Sequence, residues 1–415
     1  MDPVTLALIL AGSIIIVGFL GNYIFERTGF PDMVLLVVLG IAIGPITGLV
    51  NAETVKHLTP YFAALALVFI LFDGGMAMNI YRVFAESPRA MVLAFIGFGL
   101  NATLTTLFMH YIVFSFILPQ SLPELSIFHS MLFGTILGGS SSVVVISLSS
   151  KIGVSEKCST ILSLESALTD ILCIVFSLVI IEVILKGSVD PVTVGQSIAS
   201  RFSTGIVLGV ALGLVWLSML KRIAKAPYSY ILTLAVVLLA YALSEFLGGS
   251  GSLCALLFGM VLGNEREIYR IFKMERPSMA VVDAGLKRFE SEIAFLLRTF
   301  FFVYIGLIVS VGDIKTILVG VILSLILLSA RFVAVKIATA RCSELAEERP
   351  IMSVLLTRGL AAAVLATLPM QYTSENPVFS QIAPLYVNIT VLVILATALI
   401  ASVGIPVLKR DFQKV

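Results

Sequence analysis

Residues 158–185 read CSTILSLESALTDILCIVFSLVIIEVIL, an apolar run that carries two acids, Glu165 and Asp170, in its first half. About 20 apolar residues suffice for a helix to cross the hydrocarbon core, so this stretch reads as membrane-spanning. A charge near the bilayer centre costs about 2.5–3.5 kcal/mol on insertion scales, which is why such acids face a partner or a water-filled path. Five positions apart, the two acids lie about 140° apart around a helix of 3.6 residues per turn. They therefore face different neighbours and can hold different tasks. An acid pair so placed points to the movement of cations.

Composition agrees with a membrane protein. Of 415 residues, 59% are hydrophobic and 13% charged, with a mean hydropathy of +1.08. A soluble domain carries about 25% charged residues. Cys158, Cys173, Cys254 and Cys342 form no CxxC or Cys/His cluster and read as reduced packing residues. His57, His110 and His129 fall on or near the outer side without metal-ligand spacing. Only Asp2 precedes the first apolar run as a charge, so that run is expected to be retained rather than cleaved as a signal.

Apolar windows fall at 4–25, 31–50, 60–80, 90–117, 127–149, 158–185, 197–219, 228–247, 251–264, 293–311, 315–340, 351–371 and 382–408. The expectation is an all-α polytopic membrane protein of about 13 transmembrane helices, a single transporter domain over 1–415. Lysine and arginine collect in cytoplasmic loops. One set of alternate loops, with the C-terminus, holds nineteen of them, including Arg82, Arg89, Lys151, Lys157, Lys221, Arg222, Lys225, Arg276, Arg341 and Lys414. The opposite loops hold Lys56, Lys186 and Lys315. This asymmetry places the N-terminus outside and the C-terminus in the cytoplasm of a multi-pass protein of the cell membrane.

An odd count with that orientation implies two six-helix halves of inverted topology, joined by the seventh span. Such repeats put ion sites near the midplane, between discontinuous helices in matching positions. Spans 5 and 12 correspond, and each carries a break: Gly138-Gly139-Ser140-Ser141-Ser142 in one, Thr357-Arg358-Gly359 in the other. Unwound backbone survives at membrane depth only when it is buried in protein or lines a cavity.

Asp170 has no basic residue within a helical turn. A carboxyl in a low-dielectric cleft holds its proton more tightly than one in water, and a cation entering the cleft competes for the same oxygens. Ser140, Ser141, Ser166 and Thr169 are the candidate oxygen co-ligands of a monovalent cation at Asp170. Arg331 lies mid-span and stays charged, so it needs a buried anion. Glu165 is the first candidate, as a structural ion pair between spans 6 and 11, and Arg358 is the competing partner for Glu165. Asp73, in Leu71-Phe72-Asp73-Gly74-Gly75, either braces helices or lines the cytoplasmic entrance. The segment 264–292 is a charged connector, and its part 281–295 has amphipathic spacing. No Walker A loop, dinucleotide fingerprint or nucleophile elbow occurs, so any transport is expected to be ion-driven rather than ATP-driven; no enzymatic activity, cofactor or nucleic-acid partner is expected.

Together these residues resemble the monovalent cation/proton antiporter superfamily, especially its prokaryotic sodium/proton exchanger (NhaP-like) branch. Phe72-Asp73-Gly74-Gly75-Met76 is similar to that branch's F-E-G-G-L, and Glu165-Ser166-x-x-Thr169-Asp170 to E-S-x-x-N-D, whose aspartate carries ion and proton. Gly249-Ser250-Gly251 through Gly259 to Gly263-Asn264 resembles G-S-G…G-L-V-L-G-N, and Thr357-Arg358-Gly359 resembles L-R-G. Two positions depart from the pattern. Ser140-Ser141-Ser142 stands where the branch has T-D-P, closer to the S-S-T of potassium-efflux proteins, and Thr169 stands where it has asparagine.

The resemblance implies a homodimer, with spans 1–3 and 7–10 as a dimerisation scaffold and spans 4–6 and 11–13 as an ion-translocating core. It implies secondary active exchange of sodium for protons by alternating access, serving pH homeostasis and sodium transport. Lithium is a further candidate ion. Because electrogenic relatives have a second carboxylate where Thr169 stands, exchange is expected to be electroneutral, one for one. Three alternatives stay open: potassium/proton antiport, symport of an organic solute with sodium, and a membrane sensor or channel whose ion site gates rather than exchanges.

Overall fold

The computed structural model describes residues 2–50, 59–117, 125–141, 154–187, 191–223, 226, 228–271, 273, 282–310, 313–340 and 342–412. Ser142 and the rest of the 127–149 window after it, Lys56, His57, Lys151, Lys225, Arg276, Val281, Arg341 and Lys414 lie outside the described residues. The described chain is nearly all helix. Among the described residues, eight helices are long and apolar enough to cross a membrane, and five shorter apolar helices fall in the remaining windows. This is a multi-pass membrane protein.

In chain order the helices are α1 (Pro3–Thr28), α2 (Asp32–Ile41), α3 (Thr59–Ala77), α4 (Ile80–Phe108), α5 (Ile127–Ile136), α6 (Glu156–Lys186) and α7 (Pro191–Ile223). They continue as α8 (Ser229–Phe246), α9 (Gly251–Gly263), α10 (Ala284–Ile308), α11 (Ile314–Ala338), α12 (Arg349–Val354), α13 (Leu360–Thr367) and α14 (Pro377–Phe412). Short helical turns, among them Glu265–Ile271, join some of them. The long helices begin and end on local signals. The Ser155 hydroxyl accepts from the Cys158 N–H to cap α6, and Gly187 closes it at φ 65°, a left-handed conformation that glycine adopts without steric cost.

The chain forms two compact units. One comprises residues 63–87 and 188–298. Here α9 packs on α7 and α8, and small residues set the spacing. A Cβ at Gly259 or Gly263 would lie 2.2 Å from the carbonyl oxygen of Phe72 or Met76, so α9 crosses α3 backbone to backbone. Gly205 and Gly209 of α7 approach the carbonyls of Ser250 and Cys254 in the same manner. The Ser250 hydroxyl caps α9, and the Glu245 carboxylate accepts from the Gly251 N–H at 2.7 Å. Asn264 fastens the end of α3 by donating to the Met78 carbonyl and accepting from the Ile80 N–H. Much of the Gly249–Asn264 motif therefore serves helix packing and capping. Asp73, on α3, belongs to this unit and is half-buried.

The other unit comprises residues 1–62, 88–187 and 299–415. Within it α5 packs on α6, α13 packs on α6 and α14, and α11 packs on α12 and α14. At one end of it the Glu348 carboxylate accepts from the Ser155 N–H (2.5 Å) and hydroxyl (2.7 Å), and Lys157 pairs with Glu344 at 2.5 Å. The Lys157 hydrogen bond holds the exposed Glu344 carboxyl below its usual value.

Candidate functional site

The end of one helix and a break within another meet in the larger unit. The first is α5, whose helix stops at Ile136 and is followed by irregular backbone through Ser141. The second is the pair α12 and α13, separated by five non-helical residues, 355–359. Each interruption frees backbone groups that helix geometry would have paired, and in an apolar setting those groups must find partners. They find them largely in each other and in side chains. The Ser141 N–H donates to the Thr357 carbonyl at 2.7 Å, tying one break to the other. Arg358, 2% exposed, sends its guanidinium to the Gly139 carbonyl, and its own N–H donates to the Thr397 hydroxyl at 3.1 Å. The breaks pass so closely that a Cβ at Gly359 would lie 2.3 Å from the Ser141 Oγ.

Helix α6 runs alongside and supplies the acids. Glu165 and Arg331 are 2% and 3% exposed and form a two-pronged ion pair: Nη1 to Oε1 at 2.9 Å and Nη2 to Oε2 at 3.1 Å. Arg331 Nε donates to the Met352 carbonyl at 3.1 Å, extending the link to α12 just before its break. The Ser140 hydroxyl lies 3.1 Å from both oxygens of Glu165 and donates to them. One carboxylate thus holds α11 and the first break together. Such bidentate, charge-assisted geometry is strong and directional.

The neighbouring hydroxyls are committed too. Ser166 donates to the Ser140 carbonyl at 2.6 Å, and Thr169 donates to the Ser166 carbonyl at 3.0 Å while accepting from the Ser140 N–H at 3.2 Å. A hydroxyl that donates its hydrogen keeps oxygen lone pairs for a cation. Asp170 differs from all of these. It is half-buried and has no hydrogen bond or ion pair with a described residue, while Glu165 and Arg358 are the charges that act on it.

The structure therefore gathers Ser140, Ser141, Glu165, Ser166, Thr169, Asp170, Arg331 and Arg358 in one unit, and Asp73 lies in the other. Arg358, open on sequence grounds to pairing with Glu165 or serving its own break, reaches instead to the opposite break. Sequence reasoning missed Asn101 on α4, whose Nδ2 donates to the Gly138 carbonyl at 3.0 Å. An isolated amide inside the 90–117 window was the available signal. It also missed the carbonyls of Gly138, Gly139 and Met352, for which no side chain speaks.

Comparisons with known proteins bear on the fold and the family. A family model described as sodium/hydrogen exchanger, transmembrane, matches residues 4–410. The chain is 27% identical over 395 residues to the K(+)/H(+) antiporter NhaP2 of Shewanella sp. (strain MR-4), covering 93% of this chain and 63% of that protein. It is 22% identical over 380 residues to the K(+)/H(+) antiporter NhaP of Alkalimonas amylolytica, covering 89% of this chain and 61% of that protein. The chain thus spans only part of the length of these curated relatives. The solved structure of the sodium proton antiporter MjNhaP1 from Methanocaldococcus jannaschii at pH 8 superposes with a TM-score of 0.80 at 21% identity, over 98% of this chain and 99% of that one. That likeness establishes the fold, and the family match over nearly the whole chain makes this protein a member of the sodium/hydrogen exchanger transmembrane family.

Proposed function

We propose that this chain is a secondary active sodium/proton antiporter in which Asp170 carries either a proton or a cation across the membrane. The observation that carries this reading is the contrast between the two acids of α6. Glu165 is held by Arg331 and Ser140, whereas Asp170 is bound to no described residue. An acid with no hydrogen-bond or ion-pair partner among the described residues, beside two helix breaks, is free to exchange what it binds. Ser140, Ser141, Ser166 and Thr169 supply oxygens nearby.

The charges support one-for-one exchange. Glu165 and Arg331 cancel, and Arg358 faces the charge of Asp170. Adding a proton or a monovalent cation to Asp170 gives loaded states of equal net charge. Both present the same electrostatic cost to a conformational change, and whatever charge one translocation moves is cancelled by the return. The protein works by alternating access as a homodimer in the cell membrane, N-terminus outside and C-terminus in the cytoplasm. Spans 1–3 and 7–10 form the scaffold and spans 4–6 and 11–13 the moving core. The basic-residue asymmetry supports the orientation, and the family resemblance supports the rest.

Potassium is the second reading, favoured by the activity in the names of the curated relatives and by serines in place of T-D-P. The test is a preset pH gradient in proteoliposomes of the purified protein, followed on adding sodium, lithium or potassium. Sodium is expected to collapse the gradient at the lowest concentration. A response to potassium alone would reassign the cation. No response to any of the three, with transport of an organic solute that depends on sodium, would replace antiport by symport.

A further inference from the structure

Asn101 is a buried amide for which the exchange scheme above has no task. It is 4% exposed, and its Nδ2 donates to the Gly138 carbonyl at 3.0 Å. A carbonyl can only accept, so this bond fixes which way the amide points. Its Oδ1 then faces away from Gly138, buried, with no hydrogen-bond partner among the described residues. Buried acceptors in native proteins nearly always have a donor or an ion to meet them. Across the crossing, the Thr357 Oγ1 is also buried and unpartnered among the described residues. Two buried oxygens without a hydrogen-bond partner among the described residues thus belong to residues that are themselves bonded to the crossing, Asn101 through the Gly138 carbonyl and Thr357 through the Ser141 N–H.

The surroundings tie Asn101 to the acid on α6. Phe98, one turn earlier on α4, covers Gly138, where a Cβ would lie 2.5 Å from its ring. The same ring sits 5.4 Å from that of Phe176 on α6. Gly139, the next residue of the break, lies against Thr169: a Cβ there would lie 3.2 Å from the Thr169 carbonyl. Thr169 immediately precedes Asp170. This face of α4 is wedged against both the first break and the helix that bears the carrier.

We propose that Asn101 is an oxygen ligand that determines cation selectivity at the Asp170 site, offering its unpartnered Oδ1 to the bound ion. The assignment rests on Asp170 as the carrier. An amide oxygen is a hard, neutral donor suited to alkali cations, and it adds no charge to the site. Anchoring by Gly138 keeps its position fixed, so it favours ions of one size.

The experiment compares wild type, Asn101→Leu and Asn101→Ser in proteoliposomes, measuring apparent KM and maximal rate for sodium and for potassium. Cation-dependent shifts in thermal midpoint of the purified proteins are recorded in parallel. Both variants are expected to raise KM for the preferred cation about tenfold, the effect of losing one interaction of hydrogen-bond strength. Their sodium-to-potassium KM ratio is expected to change, and the cation-dependent thermal shift to shrink. A purely structural residue would lower maximal rate or stability and leave the ratio alone. A ratio within about twofold of wild type, well under the tenfold expected, would overturn the proposal, as would failure of both variants to fold. Absence of cation-driven flux in wild type would instead overturn the antiport reading itself.

Discussion

Asp170→Asn is expected to abolish cation-dependent proton flux while leaving the purified protein folded, with a thermal midpoint close to that of wild type. Asparagine nearly matches aspartate in shape, and Asp170 makes no hydrogen bond or ion pair with a described residue that the change would break. What is lost is the one group in the crossing proposed both to bind a proton and to attract a cation. No other side chain there can take over. Glu165 is occupied by Arg331, and Thr169 does not ionise. Flux in Asp170→Asn proteoliposomes at a substantial fraction of the wild-type rate would contradict the assignment.

Glu165→Ala and Arg331→Ala are each expected to destabilise by about 3–5 kcal/mol, because each leaves an opposite charge buried and unpaired. The two losses differ in their further consequences. Without Glu165, the Ser140 hydroxyl loses its acceptor and the first break is loosened. Without Arg331, the Met352 carbonyl loses its donor and α12 is released near the second break. The double variant removes both charges, so its loss is expected to fall short of the sum by about 0.5–3 kcal/mol, the usual range for residues in contact. Thermal or denaturant unfolding of the four proteins in detergent provides the cycle. Strictly additive losses would show that the pair is not coupled in the folded protein.

What the sequence made legible follows from the cost of burying charge. Glu165, Asp170 and Arg331 stood out because acids and a base within apolar windows demand an explanation. The two breaks stood out because Gly138-Gly139-Ser140-Ser141-Ser142 and Thr357-Arg358-Gly359 interrupt apolar runs at matching positions. The links between them were not legible. Ser141 to Thr357, Arg358 to Gly139 and Arg331 to Met352 all end on backbone carbonyls, which every residue carries. Hydroxyl direction was hidden for a related reason. Ser140 and Ser166 read equally well as cation ligands or as donors, and only the fold shows which acceptors they reach.

Helix boundaries show another limit. The tenth window begins at 293, whereas α10 begins at Ala284. Between them lie Lys287, Arg288, Glu290 and Glu292, which a hydropathy window counts as loop. A helix tolerates such residues when its charged face is satisfied, here in part by the Arg288–Glu292 pair one turn apart at 2.9 Å. The Gly249–Asn264 motif was legible as a motif but not as a packing device. The close approach of α9 to α3 depends on which helix lies opposite Gly259 and Gly263.

The central claim is that one proton and one monovalent cation take turns on Asp170 while Glu165 stays a fixed charge. Proteoliposomes clamped with valinomycin at zero and at strongly negative potential test it most directly, with sodium as the driving ion and potassium held by the clamp. A membrane potential is worth about 2.3 kcal/mol per elementary charge per 100 mV, so a carrier that moved net charge would shift its equilibrium visibly. The account predicts that the sodium gradient that balances a given pH gradient is the same at both potentials. A balance point that moves with voltage would show that a second proton travels in each cycle, and that Glu165 is not held as the ion pair implies.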